Sequence, residues 1–284
     1  MSLNWRAVRP IIELALAEDI GTGDVTTAAT VPAEAKTTAF IHAKSPCVLA
    51  GNDVARWVFE YLDPNIQYAE RKRDGDFLAP GEVIAELAGS ARAILTGERV
   101  ALNFLQRLSG IATRTARYVE LVRPYPAKIV DTRKTTPGLR LLEKYAVTVG
   151  GGTNHRFGLY DAVLIKDNHI KMAGGIAEAI AAARKNIPFT MRVEIEVETL
   201  EQFKVALTAG PDIIMLDNMT YEEMTEAVRL ANGRVKLEAS GGITEETVVA
   251  VAKTGVDFIS VGALTHTYSA ADISLDVGES KVKL

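Results

Sequence analysis

At 284 residues the chain is long enough for one large domain or two, and 48% hydrophobic with 24% charged residues excludes a disordered polymer. A net charge of −4 argues against general nucleic-acid binding, so a local basic cluster carries information of its own. A single cysteine, Cys47, excludes an intrachain disulfide and a cysteine-built metal site, and no apolar run approaches the ~18 residues of a membrane span, which makes the cytoplasm the default location.

Residues 5–16 carry Trp5, Val8, Ile11, Ile12, Ala15 and Leu16 at helical spacing. The next stretch, EDIGTGDVTT, reads as a turn-rich loop in which Asp19 and Asp24 serve turns and caps. Residues 37–49 read as one or two strands broken at Lys44-Ser45-Pro46, and residues 52–61 as a helix opened by an Asn52 cap. Arg71-Lys72-Arg73 reads as a solvated strand edge, with turns at Asp74-Gly75 and Pro80-Gly81. The region to about residue 90 is thus a mixed α+β unit. Residues 91–122 form the longest helical signal, with Gly97 and Ser109-Gly110 as interruptions or close-packing points. Pro124-Tyr125-Pro126 ends it, so residues 111–126 bridge into a second unit.

There the rhythm changes. The apolar runs AKIVDTR, DAVLIKD, RVEIEV, DIIMLDN, VKLEAS and FISVGAL recur at roughly 20 to 35 residues, the spacing of βα units. Helices are expected over 174–185, 200–209, 221–230 and 245–254, and residues 145–149 are a candidate seventh strand. Near-continuous apolar runs suit parallel strands buried on both faces. The pattern fits a TIM-like barrel, complete or incomplete, with an open doubly wound sheet as the alternative.

In such a barrel the chemistry lies where the strands end. The ends carry Asp131, Arg133 and Lys134; Lys166, Asp167 and Asn168; Glu194 and Glu196; Asp217 and Asn218; Glu238 and Ser240; and Gly262. Early strands supply cations, which suit a carboxylate or phosphate. Later strands supply acids, and Glu196 with Asp217 could hold Mg²⁺ directly or through water. Glu194 shares a face with Glu196, which leaves open which of them meets a metal. Ser240-Gly241-Gly242 and Val261-Gly262-Ala263 follow strands and offer backbone N–H groups to a phosphate. Gly150-Gly151-Gly152 reads equally as close packing or as a loop near ligand. Arg140, Lys144 and Lys171 read as solvated or structural, and His169 as a structural hydrogen-bonding group. His155 and Arg156 stay open between structure and ligand. The whole describes a site for an anionic substrate and a metal-bound polyphosphate.

The segments DTRKTTPGLRLLEKYAV, GGGTNHRFGLYDAVLIKDNH, EIEVETLEQ, IMLDN, EASGGI and VGALTH, in this order, resemble quinolinate phosphoribosyltransferase, also called nicotinate-nucleotide pyrophosphorylase (carboxylating). EDIGTGDVTT and GERVALNFLQRLSGIAT extend the resemblance over nearly the whole chain. It implies an open α/β sandwich over 1–112, rejoined by 270–284, and an incomplete α/β barrel over 113–269. It also implies quinolinate and phosphoribosyl pyrophosphate as substrates and Mg²⁺ as cofactor. A homodimer or larger assembly would let Arg99 of one subunit reach the site of another. By motif, Arg133 with Thr132, His155, Arg156 and Lys166 would hold the quinolinate carboxylates. Lys134 would lie between substrate and pyrophosphate, and Glu196 and Asp217 would bind the ribose hydroxyls and the metal. Ser240, Gly241, Gly242, Gly262 and Ala263 would cradle the 5′-phosphate. Other readings are a phosphoribosyltransferase-like protein of molybdenum transport, disfavoured by the intact TRKTTPG and IKDNH, and nicotinate phosphoribosyltransferase, which needs fewer cations. A non-enzymatic metabolite-binding barrel would not need paired acids opposite the cations.

Overall fold

The structure is a computed structural model that describes residues 2–278. In chain order it runs α1 (Trp5–Ile20), α2 (Val25–Thr30), β1 (Lys36–Ala43), β2 (Cys47–Val48), α3 (Asn52–Leu62), β3 (Gln67–Glu70), β4 (Phe77–Leu78), β5 (Val83–Ser90) and α4 (Ala91–Val122). There follow β6 (Lys128–Val130), α5 (Arg140–Val149), β7 (Val163–Ile165), α6 (Asp167–Ala173), α7 (Ile176–Asn186), β8 (Val193–Val197) and α8 (Leu200–Ala209). The last elements are β9 (Ile213–Asp217), α9 (Tyr221–Ala231), β10 (Lys236–Ser240), α10 (Val248–Lys253), β11 (Phe258–Ser260), α11 (Ala263–His266) and β12 (Ile273–Val277).

The first compact unit holds residues up to 116, residues 136–151 and the chain from 267. Its sheet has the antiparallel order β12-β1-β5-β3. Helices α1 and α3 bury Val8, Ile12 and Leu16, and Val54, Ala55, Val58 and Phe59, the i, i+3/i+4 stripes that close a core. Helix α1 runs to Ile20 and absorbs the start of the expected loop, while Asp24 caps α2 by accepting the Thr27 N–H at 2.9 Å. The expected Asn52 cap is a correction. Gly51, at φ 96°, takes the cap position, and buried Asn52 instead donates to the Lys72 carbonyl and accepts from the Tyr68 hydroxyl. The Arg71 guanidinium pairs with Glu86 next to edge strand β3, as an edge requires.

Helix α4 is unbroken through Gly97 and Gly110, so these glycines are packing points rather than interruptions. A methyl at Gly110 would collide with the Ser269 carbonyl. The candidate strand at 145–149 is also corrected, since this stretch is the second half of α5. That helix belongs to the first unit, whereas the resemblance implies one barrel domain over 113–269. The reason is packing against α4: buried Glu143 pairs with Arg107, and Gly150 leaves no room for a side chain against Ala112. Lys144 is fully buried in α5, so its role is structural and not solvated. Part of the expected 270–284 return lies outside the described residues.

The second unit, residues 117–135 and 152–266, contains a parallel six-stranded sheet in the order β6-β11-β10-β9-β8-β7. The expected helices appear at α7, α8 and α9, with α10 shorter than expected. Among the described residues β6 and β7 are edges, and Thr153 adds a single parallel bridge to Val130, so the barrel is the incomplete form.

Candidate active site

Register decides which side chains meet. Glu194 aligns with Leu164 and Ile213, Glu196 with Met215, Met215 with Glu238, and Asp217 with Ser240. Paired residues of parallel strands share a face, and residues two apart do too. Glu194, Glu196, Asp217, Glu238 and Ser240 therefore line one face of the sheet.

At the β7 end, Lys166 reaches across to Glu196, with Nζ 2.5 Å from Oε2. Its backbone N–H donates to His169 Nδ1, the structural bond expected of that histidine. Exposed Lys171 is spent on Asp167 one turn earlier, which depresses the Asp167 carboxyl. Arg133 and Lys134 are exposed after β6. Thr132 turns the chain there, its hydroxyl accepting the Lys134 N–H at 3.1 Å. The Lys134 carbonyl accepts from the Thr265 hydroxyl, and a methyl at Gly262 would lie 3.1 Å from Lys134 Cδ. Lys134 thus lies over the glycine turn that precedes Ala263 and α11.

The tripeptide Asn154-His155-Arg156 is anchored from below. Buried Asp131 accepts the Asn154 amide at 2.6 Å and the His155 backbone N–H at 2.8 Å. His155 Nδ1 accepts the Arg156 N–H at 2.7 Å, so the ring proton resides on Nε2. Nε2 lies 3.0 Å from Glu194 and 3.5 Å from Glu238, both nearly inaccessible to solvent. Burial, and then the Glu194 carboxylate, push the Glu238 carboxyl up to about 8. One oxygen of each acid is buried without a hydrogen-bond partner. Arg156 donates to the Ala162 carbonyl, and its Nε is buried without an acceptor. Burial and the neighbouring Arg133 hold the Arg156 guanidinium below its ordinary value.

Among the described residues, two sets of donors could hold a metal. Glu196 and Asp217 offer half-buried carboxylates on one face of adjacent strands, a hard oxygen set suited to a hydrated Mg²⁺. His155, Glu194 and Glu238 bring one donor atom each within 4.8 Å of one another.

Beyond β9, Asn218 adopts φ 54° and donates from its amide to Asp217 at 2.8 Å. Gly241, at φ 107°, faces the Asn218 carboxamide so closely that no side chain fits. Asn218 and Gly241, with Gly242, Met219, Tyr221 and Thr247, border a pocket of about 420 Å³. Arg99 is exposed on α4, in the first unit.

The quinolinate phosphoribosyl transferase N-terminal domain profile matches residues 24–109, and the corresponding C-terminal domain profile matches residues 111–276. This chain belongs to the quinolinate phosphoribosyltransferase family. The "Probable nicotinate-nucleotide pyrophosphorylase [carboxylating]" of Bacillus subtilis is 49% identical, over 97% of this chain and 95% of that protein. The chloroplastic nicotinate-nucleotide pyrophosphorylase of Arabidopsis thaliana is 45% identical, over 95% of this chain and 82% of that protein. The solved nicotinate-nucleotide pyrophosphorylase of Francisella tularensis superposes with a TM-score of 0.93 at 47% identity, covering 97% of this chain and 98% of that one.

In this quinolinate phosphoribosyltransferase-family chain, Thr132, Arg133, Lys134, His155, Arg156, Lys166, Glu196, Asp217, Ser240, Gly241, Gly242, Gly262 and Ala263 all belong to the second unit. Sequence reasoning passed over the partnership of Glu194 and Glu238 with His155, and the roles of Asp131, Asn154 and Asn218. The two-residue spacing of Glu194 before Glu196 and of Glu238 before Ser240 was the available signal, because it turns both acids to the same face.

Proposed function

We propose that this chain transfers the phosphoribosyl group to quinolinate and decarboxylates the product, giving nicotinate mononucleotide, pyrophosphate and CO₂ in NAD biosynthesis. The observation that carries this reading is the Arg156 guanidinium. It is partly dry, beside a second guanidinium, with a buried Nε lacking an acceptor, an arrangement that an anionic carboxylate relieves. Arg133, Arg156 and Lys166, with His155 in the same wall, would hold the pyridine dicarboxylate. Ser240, Gly241, Gly242, Gly262 and Ala263 would take the 5′-phosphate on backbone N–H groups. Glu196 and Asp217 would fix the ribose hydroxyls and hold Mg²⁺, directly or through water. When bound, the ion supplies positive charge to the departing pyrophosphate.

The pyridine nitrogen forms a bond to ribose C1 as the C1–oxygen bond breaks and pyrophosphate leaves with the electron pair. Lys134, held over the Gly262 turn, stabilises that leaving charge. The C2–carboxylate bond of the new pyridinium then breaks. Its electron pair passes to the ring carbon, which takes a proton, so no organic cofactor is needed. The reading includes a homodimer or larger assembly in which Arg99 of one subunit completes the site of another. It places the reaction in the cytoplasm, because both substrates are water-soluble polyanions; no helix among the described residues is long and apolar enough to cross a membrane.

Incubation with quinolinate, phosphoribosyl pyrophosphate and Mg²⁺ should yield nicotinate mononucleotide and CO₂; no product rejects the reading. Arg133→Ala should raise KM for quinolinate roughly tenfold or more, the loss expected when a charged hydrogen bond goes. Asp217→Ala should instead damage use of phosphoribosyl pyrophosphate.

A further inference from the structure

Arg133 and Arg156 would face one pyridine dicarboxylate, yet they lie far apart in the chain, one just after β6 and the other in the loop before β7. Burial and then Arg133 hold the Arg156 guanidinium below its ordinary value, so the two cations are near enough to repel each other. Asp131 is placed to oppose that repulsion. It follows the last residue of β6, stands two residues before Arg133, and is fully buried. Backbone pairing brings the loop alongside it. The Thr153 N–H donates to the Ile129 carbonyl at 2.8 Å, and the Asp131 N–H donates to the Thr153 carbonyl at 3.2 Å. Beyond Thr153 the Asp131 side chain takes over, its Oδ2 accepting the Asn154 amide at 2.6 Å and its Oδ1 the His155 backbone N–H at 2.8 Å. Arg156 is the next residue. The bonds from Phe157 and Gly158 to Asp161, and from Arg156 to the Ala162 carbonyl, lie within the loop and shape it without joining it to β6. A carboxylate suits the joint, because it offers two acceptors in one rigid plane and its charge shortens and strengthens both bonds.

We infer that Asp131 is a positioning residue that sets the spacing of two carboxylate-binding arms, Arg133 at the end of its own strand and His155 with Arg156 on the loop it ties down. The inference rests on the proposed placement of quinolinate and deepens it. The carboxylates of quinolinate stand on adjacent atoms of a rigid ring, so their separation cannot adapt to the protein. The arms must hold the matching separation before the substrate arrives. Displacement of one arm by about 1 Å leaves its charge in place but loses much of its effect. An acid with a single carboxylate makes no such demand, since one arm suffices. Asp131 therefore bears on which acids are bound as well as on how tightly.

Quinolinate and nicotinate, a pyridine with one carboxylate, are the probes, titrated calorimetrically into the protein and its variants. Asp131→Ala should weaken quinolinate binding roughly tenfold or more, with nicotinate within about twofold of wild type. Asp131→Asn should recover most of the loss. Its side-chain oxygen can still accept the His155 N–H, and the Asn154 carboxamide can turn over to accept from the new amide. Asn154→Ala cuts one of the two bonds at a half-buried residue, so it tests the joint even where Asp131→Ala does not fold. It should weaken quinolinate severalfold with the same selectivity. Equal weakening of both acids, unchanged quinolinate affinity in both alanine variants, or no recovery with asparagine would reduce Asp131 to a part of the scaffold and overturn the inference.

Steady-state kinetics give an independent readout. KM for quinolinate should rise in Asp131→Ala and Asn154→Ala while KM for phosphoribosyl pyrophosphate stays within about twofold of wild type; parallel rises in both would count against the positioning role. Arg156→Ala separates the inference from the reading beneath it. If that variant leaves quinolinate affinity unchanged, the carboxylate site itself is misplaced. If it weakens quinolinate while the Asp131 and Asn154 variants do not, only the joint fails.

Discussion

Glu238 illustrates how a single buried acid writes itself into the pH behaviour of the protein. Its carboxyl is pushed from 4.5 to about 8, chiefly by burial and next by Glu194. Over that window the native state keeps a proton that the unfolded chain has released, so stability falls as pH rises from about 4.5 to 8. Glu238→Gln cannot ionise, and its melting temperature should decline less than that of wild type between these limits. Equal slopes in thermal melts of the two proteins would show that Glu238 does not titrate there. Asn218 is a second residue-scale case. Left-handed backbone is tolerated by asparagine, and the strain is held beside the proposed ribose-binding Asp217. Asn218→Gly keeps the backbone comfortable and removes only the amide. It should leave the melting temperature nearly unchanged while raising KM for phosphoribosyl pyrophosphate severalfold, read by steady-state kinetics.

At the scale of elements, α4 shows how tertiary contact reverses a propensity. Glycine inside a helix ordinarily costs about 0.5–1 kcal/mol relative to alanine, so Gly→Ala is ordinarily stabilising. At Gly110 the added methyl would run into the Ser269 carbonyl, an atom of the backbone that cannot step aside cheaply. Gly110→Ala should therefore destabilise by about 1–3 kcal/mol, measured by denaturant unfolding. At Gly97 the nearest atoms are the ends of Leu62 and Phe59, 3.0 and 3.1 Å away, which can shift, so Gly97→Ala should cost less. The helix was legible as a helix from its apolar stripe. Whether its glycines broke it or packed it was not, because that depends on what lies against them. The same holds for α5, whose short apolar run could be a strand or a helix until Glu143 met Arg107.

For the whole molecule, the proposed sharing of sites between subunits has a direct test. Arg99→Ala and Asp217→Ala should each be nearly inactive alone, and mixing them under conditions that exchange subunits should restore activity, because some sites would then combine an intact Arg99 with an intact Asp217. Activity of the mixture that never exceeds the sum of the two would count against Arg99 acting across an interface.

Chain order and period alone determined much of this protein. Six apolar runs at βα spacing specified a parallel sheet, and their polar ends picked out the residues proposed here to carry the chemistry, since side-chain alternation and strand direction are local properties. The division of labour between cations on early strands and acids on later ones followed from the same reading. Tertiary structure decided what each charged group faces. It set Glu196 against Lys166, turned Glu194 and Glu238 onto His155, and left the buried Arg156 Nε without an acceptor. Those are contacts between residues distant in sequence, and they depend on strand register and burial, neither of which any local pattern of residues contains.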